Sequence, residues 1–113
     1  MASLKTFEAL ALWRDVLVER VGGNAPDLTE RQMAILLTIY MKPPPHTVRG
    51  LASQMKISKP AVTRALDMLG RHDYIKRKRD DVDRRNVLVQ RTVAGSNFVS
   101  EFGEAIARSA PKG

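Results

Sequence analysis

The chain has 113 residues, 43% of them hydrophobic, enough for one compact domain with a modest core. It contains no cysteine, which excludes a disulfide framework, a thiol nucleophile and thiol redox sensing, and its two histidines lie far apart in sequence, which argues against a metal site. A formal charge of +7 favours polyanionic partners, nucleic acid first and an anionic membrane surface second.

No apolar run reaches the ~18 residues of a membrane span. The opening MASLKTFEAL lacks the charged-then-apolar order of a signal peptide, so the reading is a cytoplasmic protein with no membrane partner. A first helix is expected from Ser3 to about Val21. Its apolar residues (Leu4, Phe7, Leu10, Leu12, Trp13, Val16, Leu17, Val18 and Val21 among them) cover more than the stripe of a one-sided surface helix. Such a helix is expected to pack on two things, its own domain and a partner subunit; the alternative is a terminal helix deep in the core of the single chain. GGNAP at 22–26 ends it, with Gly22 and Gly23 open to left-handed conformations and Pro26 unable to continue a helix. Thr29 and Gln32 have the spacing of a capping box at the start of a second helix. Its stripe is Met33, Leu36, Leu37 and Tyr40, widened by Ile35 and Ile39, and it belongs to the core.

KPPPH at 42–46 is expected to be a rigid polyproline connection, with His46 a solvated loop residue. Thr47 caps a short helix, TVRGLASQM. Gly50 inside it is unfavourable by roughly 1 kcal/mol relative to Ala, which close packing against a neighbouring helix would explain. After a tight turn at Lys56–Ile57, Ser58 caps a further helix to about residue 71. Pro60 is tolerated only in its first turn. Val62, Ala65, Leu66 and Leu69 form the apolar face. Ser58, Lys59, Ala61, Thr63 and Arg64 form a small, polar, basic face at the helix start, suited to phosphates and base edges in a DNA major groove. The two helices make a helix-turn-helix.

A β-hairpin follows. Tyr74 and Ile75 lead a strand in which Lys76, Arg77, Lys78 and Arg79 cluster, a polar turn spans 80–86, and Val87, Leu88 and Val89 return. Asp80, Asp81 and Asp83 interleave with the basic residues. A carboxylate beside an arginine holds the guanidinium in one direction, and a pre-aimed arginine on a narrow loop suits minor-groove insertion. Arg85, oriented by Asp83, is the minor-groove residue, and Arg84 is placed for a phosphate. Lys76, Arg77, Lys78 and Arg79 alternate along a strand, so only some face DNA, adding salt-dependent, non-specific affinity. A last helix runs from about Val93 to Ser109 with Phe98, Phe102, Ala105 and Ile106 as its stripe, limited by Gly95 and Gly103.

The run from Leu51 to Gly95 resembles the winged helix-turn-helix core of MarR-type bacterial transcription regulators. The resemblance rests on LA at 51–52, SKPAVTRALDML at 58–69 and DRRNVLVQRTVAG at 83–95, with LTERQMAILL at 28–37 similar to the helix before the DNA-binding unit. Asp83 and Arg85 match the family's Asp-x-Arg wing element, and Thr92 and Gly95 match its Leu-Thr-x-x-Gly, with Arg91 standing where the family has leucine. The expected fold is mostly α with a small β-hairpin wing, a single winged-helix domain over 1–113. The terminal helices, about 3–21 and 93–109, are its candidate dimerisation elements.

The expected function is sequence-specific double-stranded DNA binding by a homodimeric transcription regulator, with helix 58–71 in the major groove and wing 80–86 in the minor groove. The alternative is a winged-helix protein- or RNA-interaction module with only non-specific DNA affinity. No cofactor is expected. An enzyme is not expected either, since there is no paired acid and base, no catalytic triad and no phosphate loop; His72 reads as a surface residue. The resemblance also implies that small aromatic or other anionic effectors bind between the DNA-binding lobe and the dimer region, although no residue identifies such a pocket.

Overall fold

The computed structural model describes residues 5–111. The elements are α1 (Thr6–Gly22), α2 (Glu30–Met41), β1 (His46–Thr47), α3 (Val48–Met55), α4 (Lys59–Arg71), β2 (Ile75–Arg79), β3 (Val87–Arg91) and α5 (Val93–Ser109). The chain forms two compact units. One is Leu28–Val99; the other joins the described residues up to Asp27 with those from Ser100 onward.

In the Leu28–Val99 unit, the expected capping box opens α2. The Gln32 backbone N–H donates to Thr29 Oγ1 (3.1 Å), and the Thr29 N–H donates to Gln32 Oε1 (3.0 Å). Ile35, Leu36 and Ile39 are fully buried, so the two isoleucines read as flanking the stripe lie as deep as Leu36 within it. They meet Leu51 of α3 and Val62, Leu66 and Leu69 of α4 in one core. Each such side chain stabilises by roughly 1.5–3 kcal/mol on burial. Both helices of the helix-turn-helix end the same way, without glycine. Lys56 (φ 58°) lets the Ile57 N–H reach the Ala52 carbonyl. Asp73 (φ 61°) lets the Tyr74 N–H reach the Leu69 carbonyl.

The hairpin is as expected, but the sheet has a third strand. β1 pairs antiparallel with β3, His46 opposite Val89, giving the order β1-β3-β2. His46 is therefore not a solvated loop residue. It is 8% exposed, and its Nε2 lies 3.0 Å from the Lys42 carbonyl. The proline segment contains a cis Pro44–Pro45 peptide where a continuous polyproline run was expected. Gly50 is exposed rather than wedged against another helix. An added Cβ would meet only the Thr47 hydroxyl, at 3.0 Å, the group that caps α3 by accepting from the Gly50 N–H.

Arg91 replaces an apolar strand end with a helix cap. Its Nε donates to the Ile39 carbonyl (2.8 Å), an orphan acceptor of the last turn of α2, and its Nη2 to the carbonyl of the C-cap Lys42 (3.0 Å), which His46 Nε2 also approaches. Its guanidinium also lies 5.7 Å from the Tyr40 ring centre. Arg91→Ala is expected to cost about 1 kcal/mol, moderated by solvent, and to lower the melting temperature by a few degrees. Unchanged melting would mean that water satisfies the two carbonyls equally well.

Gly95 is no weak point of α5. The Tyr40 hydroxyl donates to the Tyr74 carbonyl (2.7 Å) and accepts from the Thr92 N–H (2.9 Å). Thr92 Oγ1 donates to the Asp73 carbonyl (2.6 Å) and accepts from the Gly95 N–H (2.9 Å), capping α5. Gly95 lies against the Tyr40 hydroxyl and the Tyr74 carbonyl, where a Cβ would overlap both. The Thr92-x-x-Gly95 pattern is thus a cap followed by a close approach.

In the other unit, α1 starts at Thr6, later than expected; Ser3 and Leu4 lie outside the described residues. Gly22 and Gly23 end it without entering the left-handed region. Val16 is fully buried, Trp13 packs edge-on to Phe102 with ring centres 6.0 Å apart, and Arg108 pairs with Glu19. The outward side carries Phe7, Leu10, Leu17, Val18 and Val21, between 44% and 80% exposed. Among the described residues, only one of the two apolar sides expected of this helix is covered.

Candidate nucleic-acid interface

The site begins with the N-cap of α4. Ser58 Oγ accepts from the Ala61 N–H (3.2 Å), which leaves its own proton free to donate outward. Pro60 occupies the first turn, where the missing N–H costs nothing. Ser58, Lys59, Pro60, Thr63 and Arg64 are all exposed, on the side opposite the core. Ala61 is not among them. It is 6% exposed and, with Ala65, Arg64, Thr29 and Gln32, lines a cleft at the start of α2. Alanine fits either side of an amphipathic helix. Its spacing four residues before Ala65 was the signal for the inner one.

The wing loop is braced from within. The Asp80 N–H donates to the Asn86 carbonyl (3.0 Å), the Asn86 N–H to the Asp83 carbonyl (2.9 Å) and the Val82 N–H to Asp80 Oδ1 (2.9 Å). Arg79 Nη1 donates to the Arg84 carbonyl (2.6 Å), tying the end of β2 across the loop. Asp83 grips Arg85 with both carboxylate oxygens: Arg85 Nε to Oδ1 (3.1 Å), Arg85 Nη2 to Oδ2 (3.2 Å), and the Arg85 N–H again to Oδ1 (3.1 Å). These bonds hold the Asp83 carboxyl below the usual aspartate range. The Arg85 side chain acts most, then its backbone N–H, with the Arg49 charge adding a smaller effect against a slight desolvation. Even so clamped, the Arg85 side chain is 81% exposed. Arg84 is also exposed.

The strand register divides the basic cluster. Arg77 lies opposite Val89 and Arg79 opposite Val87, on the inner side of the sheet. Lys76 and Lys78, opposite Gln90 and Leu88, lie on the outer side, Lys78 3.7 Å from Asp81. Arg77 Nη1 is 2.8 Å from Asp67 Oδ1 on α4. Sequence reading missed Asp67, Arg71, Arg49 and Arg31 as neighbours of these residues. Only the tertiary packing of α4 on β2, and of α2 and α3 near them, brings them in. His72 is half-buried, its ring centre 5.6 Å from that of Tyr74. No group of His, Asp or Glu able to hold a metal occurs among the described residues.

A model of the MarR family matches residues 28–87, more than half of the chain. The chain belongs to the MarR family. Solved structures agree in fold. A transcriptional regulator from Thermotoga maritima aligns with a TM-score of 0.69 at 24% identity, over 90% of this chain and 66% of that one. A mutant of MepR from S. aureus aligns at 0.72 and 20%, over 94% and 79%. Reduced AbfR bound to DNA aligns at 0.69 and 23%, over 93% and 72%. Identities this low establish the fold alone. No curated protein sequence matches the chain. The MarR match spans α2 to the start of β3, so it contains the outer face of α4 and the Asp83–Arg85 clamp.

Proposed function

We propose that this MarR-family chain binds double-stranded DNA sequence-specifically, as a homodimeric transcription regulator acting in the cytoplasm and without enzymatic activity. The observation that carries the reading is the clamp of Asp83 on Arg85, which aims an exposed guanidinium from a narrow loop. Arg64 contacts a guanine or a phosphate, Thr63 a thymine methyl or a phosphate, and Ser58 and Lys59 the backbone at the helix start. Arg85 enters the minor groove, Arg84 takes a phosphate, and Lys76 and Lys78 add salt-dependent attraction. The whole chain acts as one DNA-binding domain, with α1 and α5 bringing two copies together through the uncovered apolar side of α1. Two recognition helices then sit roughly 34 Å apart on a pseudo-palindrome. No helix among the described residues is long and apolar enough to cross a membrane.

The test is selection from random duplex DNA, followed by titration of the winner at two salt concentrations. An enriched inverted repeat supports the reading. A single half-site supports a monomer. Loss of all preference as salt rises favours a protein- or RNA-interaction module. On the selected duplex, Arg64→Ala is expected to lose about 1–3 kcal/mol, with a smaller loss on random DNA. Arg85→Ala should weaken binding with less change in base preference. Parent-like binding by both variants would overturn the assignment.

A further inference from the structure

The outer side of α4 carries one carboxylate. Lys59, Pro60, Thr63, Arg64, Asp67 and Arg71 are its exposed residues, and Asp67 lies one turn beyond Thr63 and Arg64. An unpaired carboxylate there would repel the phosphates that the rest of the face attracts. Asp67 is instead ion-paired with Arg77 of β2. Of the four basic residues on that strand, Arg77 is the one tied to α4. Arg79 is used within the wing, while Lys76 and Lys78 leave the opposite side of the sheet.

The pair is not a staple of the fold. Its side chains are 36% and 49% exposed, and a half-exposed pair is largely screened by solvent. What the contact settles is direction. A guanidinium has five N–H donors in a rigid fork, so a carboxylate on one side fixes where the others point. Arg77, Asp67, Arg71, Gly70 and Ile75 line an open cleft of about 480 Å³ between α4 and β2. Gly70 puts no side chain into it, and Arg71 supplies a second cation. A helix in the major groove and a wing in the adjoining minor groove have one sugar-phosphate strand between them. A side chain that bridges helix to wing strand at the mouth of an open cleft is available to that phosphate strand.

We propose that Asp67 is a positioning residue: it holds Arg77 beside the outer face of α4, where Arg77 meets the phosphate strand between the two grooves. This rests on the DNA-binding reading. Asp67 thereby links the position of α4 to that of the wing and favours sites where both fit.

The experiment is a double-mutant cycle on the full chain. Asp67→Asn, Asp67→Glu, Arg77→Gln and the Asp67→Asn/Arg77→Gln double variant are titrated with the selected duplex and a scrambled duplex over a salt series, with melting recorded for each. Arg77→Gln is expected to weaken both duplexes and to reduce the salt slope by about one. Asp67→Asn should lower the selected-to-scrambled ratio about tenfold with melting unchanged, and should lower it no further when Arg77 is already Gln. Asp67→Glu should keep the ratio near that of the parent. If Asp67→Asn tightens both duplexes equally whether or not Arg77 is present, Asp67 acts only as a charge, and the proposal fails. A changed preference at one base pair that persists without Arg77 makes Asp67 a direct reader of cytosine and also overturns it. If the parent enriches no duplex, the DNA reading falls and takes this inference with it; an enriched duplex with additive variants removes this inference alone.

Discussion

Gly95→Ala is expected to cost about 3 kcal/mol or more, a fall of the order of 15 °C in melting temperature for a domain of this size. The new methyl would overlap the Tyr40 hydroxyl and the Tyr74 carbonyl and lie 2.8 Å from Tyr40 Cζ. Neither obstacle yields freely. The carbonyl is main chain, and the hydroxyl is pinned by Tyr74 and Thr92. If α5 withdraws, the Thr92 cap on the Gly95 N–H is strained or lost. If Tyr40 withdraws, the Thr92 N–H loses its acceptor and the Tyr74 carbonyl its donor, each worth roughly 1–3 kcal/mol when buried. Tyr40→Phe in the Gly95→Ala background should recover only part of the loss, because the carbonyl stays in place. Chemical and thermal unfolding measure both variants. Melting of Gly95→Ala within about 2 °C of the parent would mean that the start of α5 slides at little cost.

Leu10→Glu is expected to convert a dimer to monomers, raising the dissociation constant by about a hundredfold or more. A leucine worth roughly 1.5–3 kcal/mol on burial is lost twice across a two-fold interface, and 2.7 kcal/mol is already a factor of a hundred. Leu10 is 64% exposed on α1, beside Phe7, Leu17, Val18 and Val21, so the single chain loses little packing. Sedimentation velocity at micromolar concentration, with melting as a control for folding, separates the outcomes. A parent that is already monomeric, or a variant that stays dimeric, would remove α1 from the interface.

Where the determinants are local, the sequence was explicit. Ser58 and Pro60 mark the start of α4, and its apolar spacing carries the helix to residue 71. The Asp-x-Arg spacing at 83–85 places a carboxylate beside a guanidinium two residues away. α5 likewise follows from its own stripe of Phe98, Phe102 and Ala105. What sequence reading missed comes from residues far apart in the chain. His46 became buried because a two-residue strand found β3, about 40 positions on by the His46–Val89 and Thr47–Leu88 pairing, a partner that no periodicity of period 2 or 3.6 reveals. Arg91 stood where the family has leucine, and its use shows only with the Ile39 and Lys42 carbonyls at the end of α2 next to it. Gly95 looked like a poor helix former, when its missing side chain is what lets Tyr40 through. Asp67 drew no reading at all, with nothing local to pair it with a strand residue ten positions on.

The division of the chain bears on its synthesis. The Leu28–Val99 unit is contiguous, so it has every residue it needs once that stretch has left the ribosome. The other unit draws on residues before and after that stretch, and α1, made before it, waits for residues from Ser100 onward before Trp13 and Val16 have Phe102 and its neighbours to pack on. At about 5–20 residues per second, that is an interval of several seconds with both apolar sides of α1 uncovered. The nascent chain is therefore most prone to premature association at α1, and chaperone binding during translation should concentrate there.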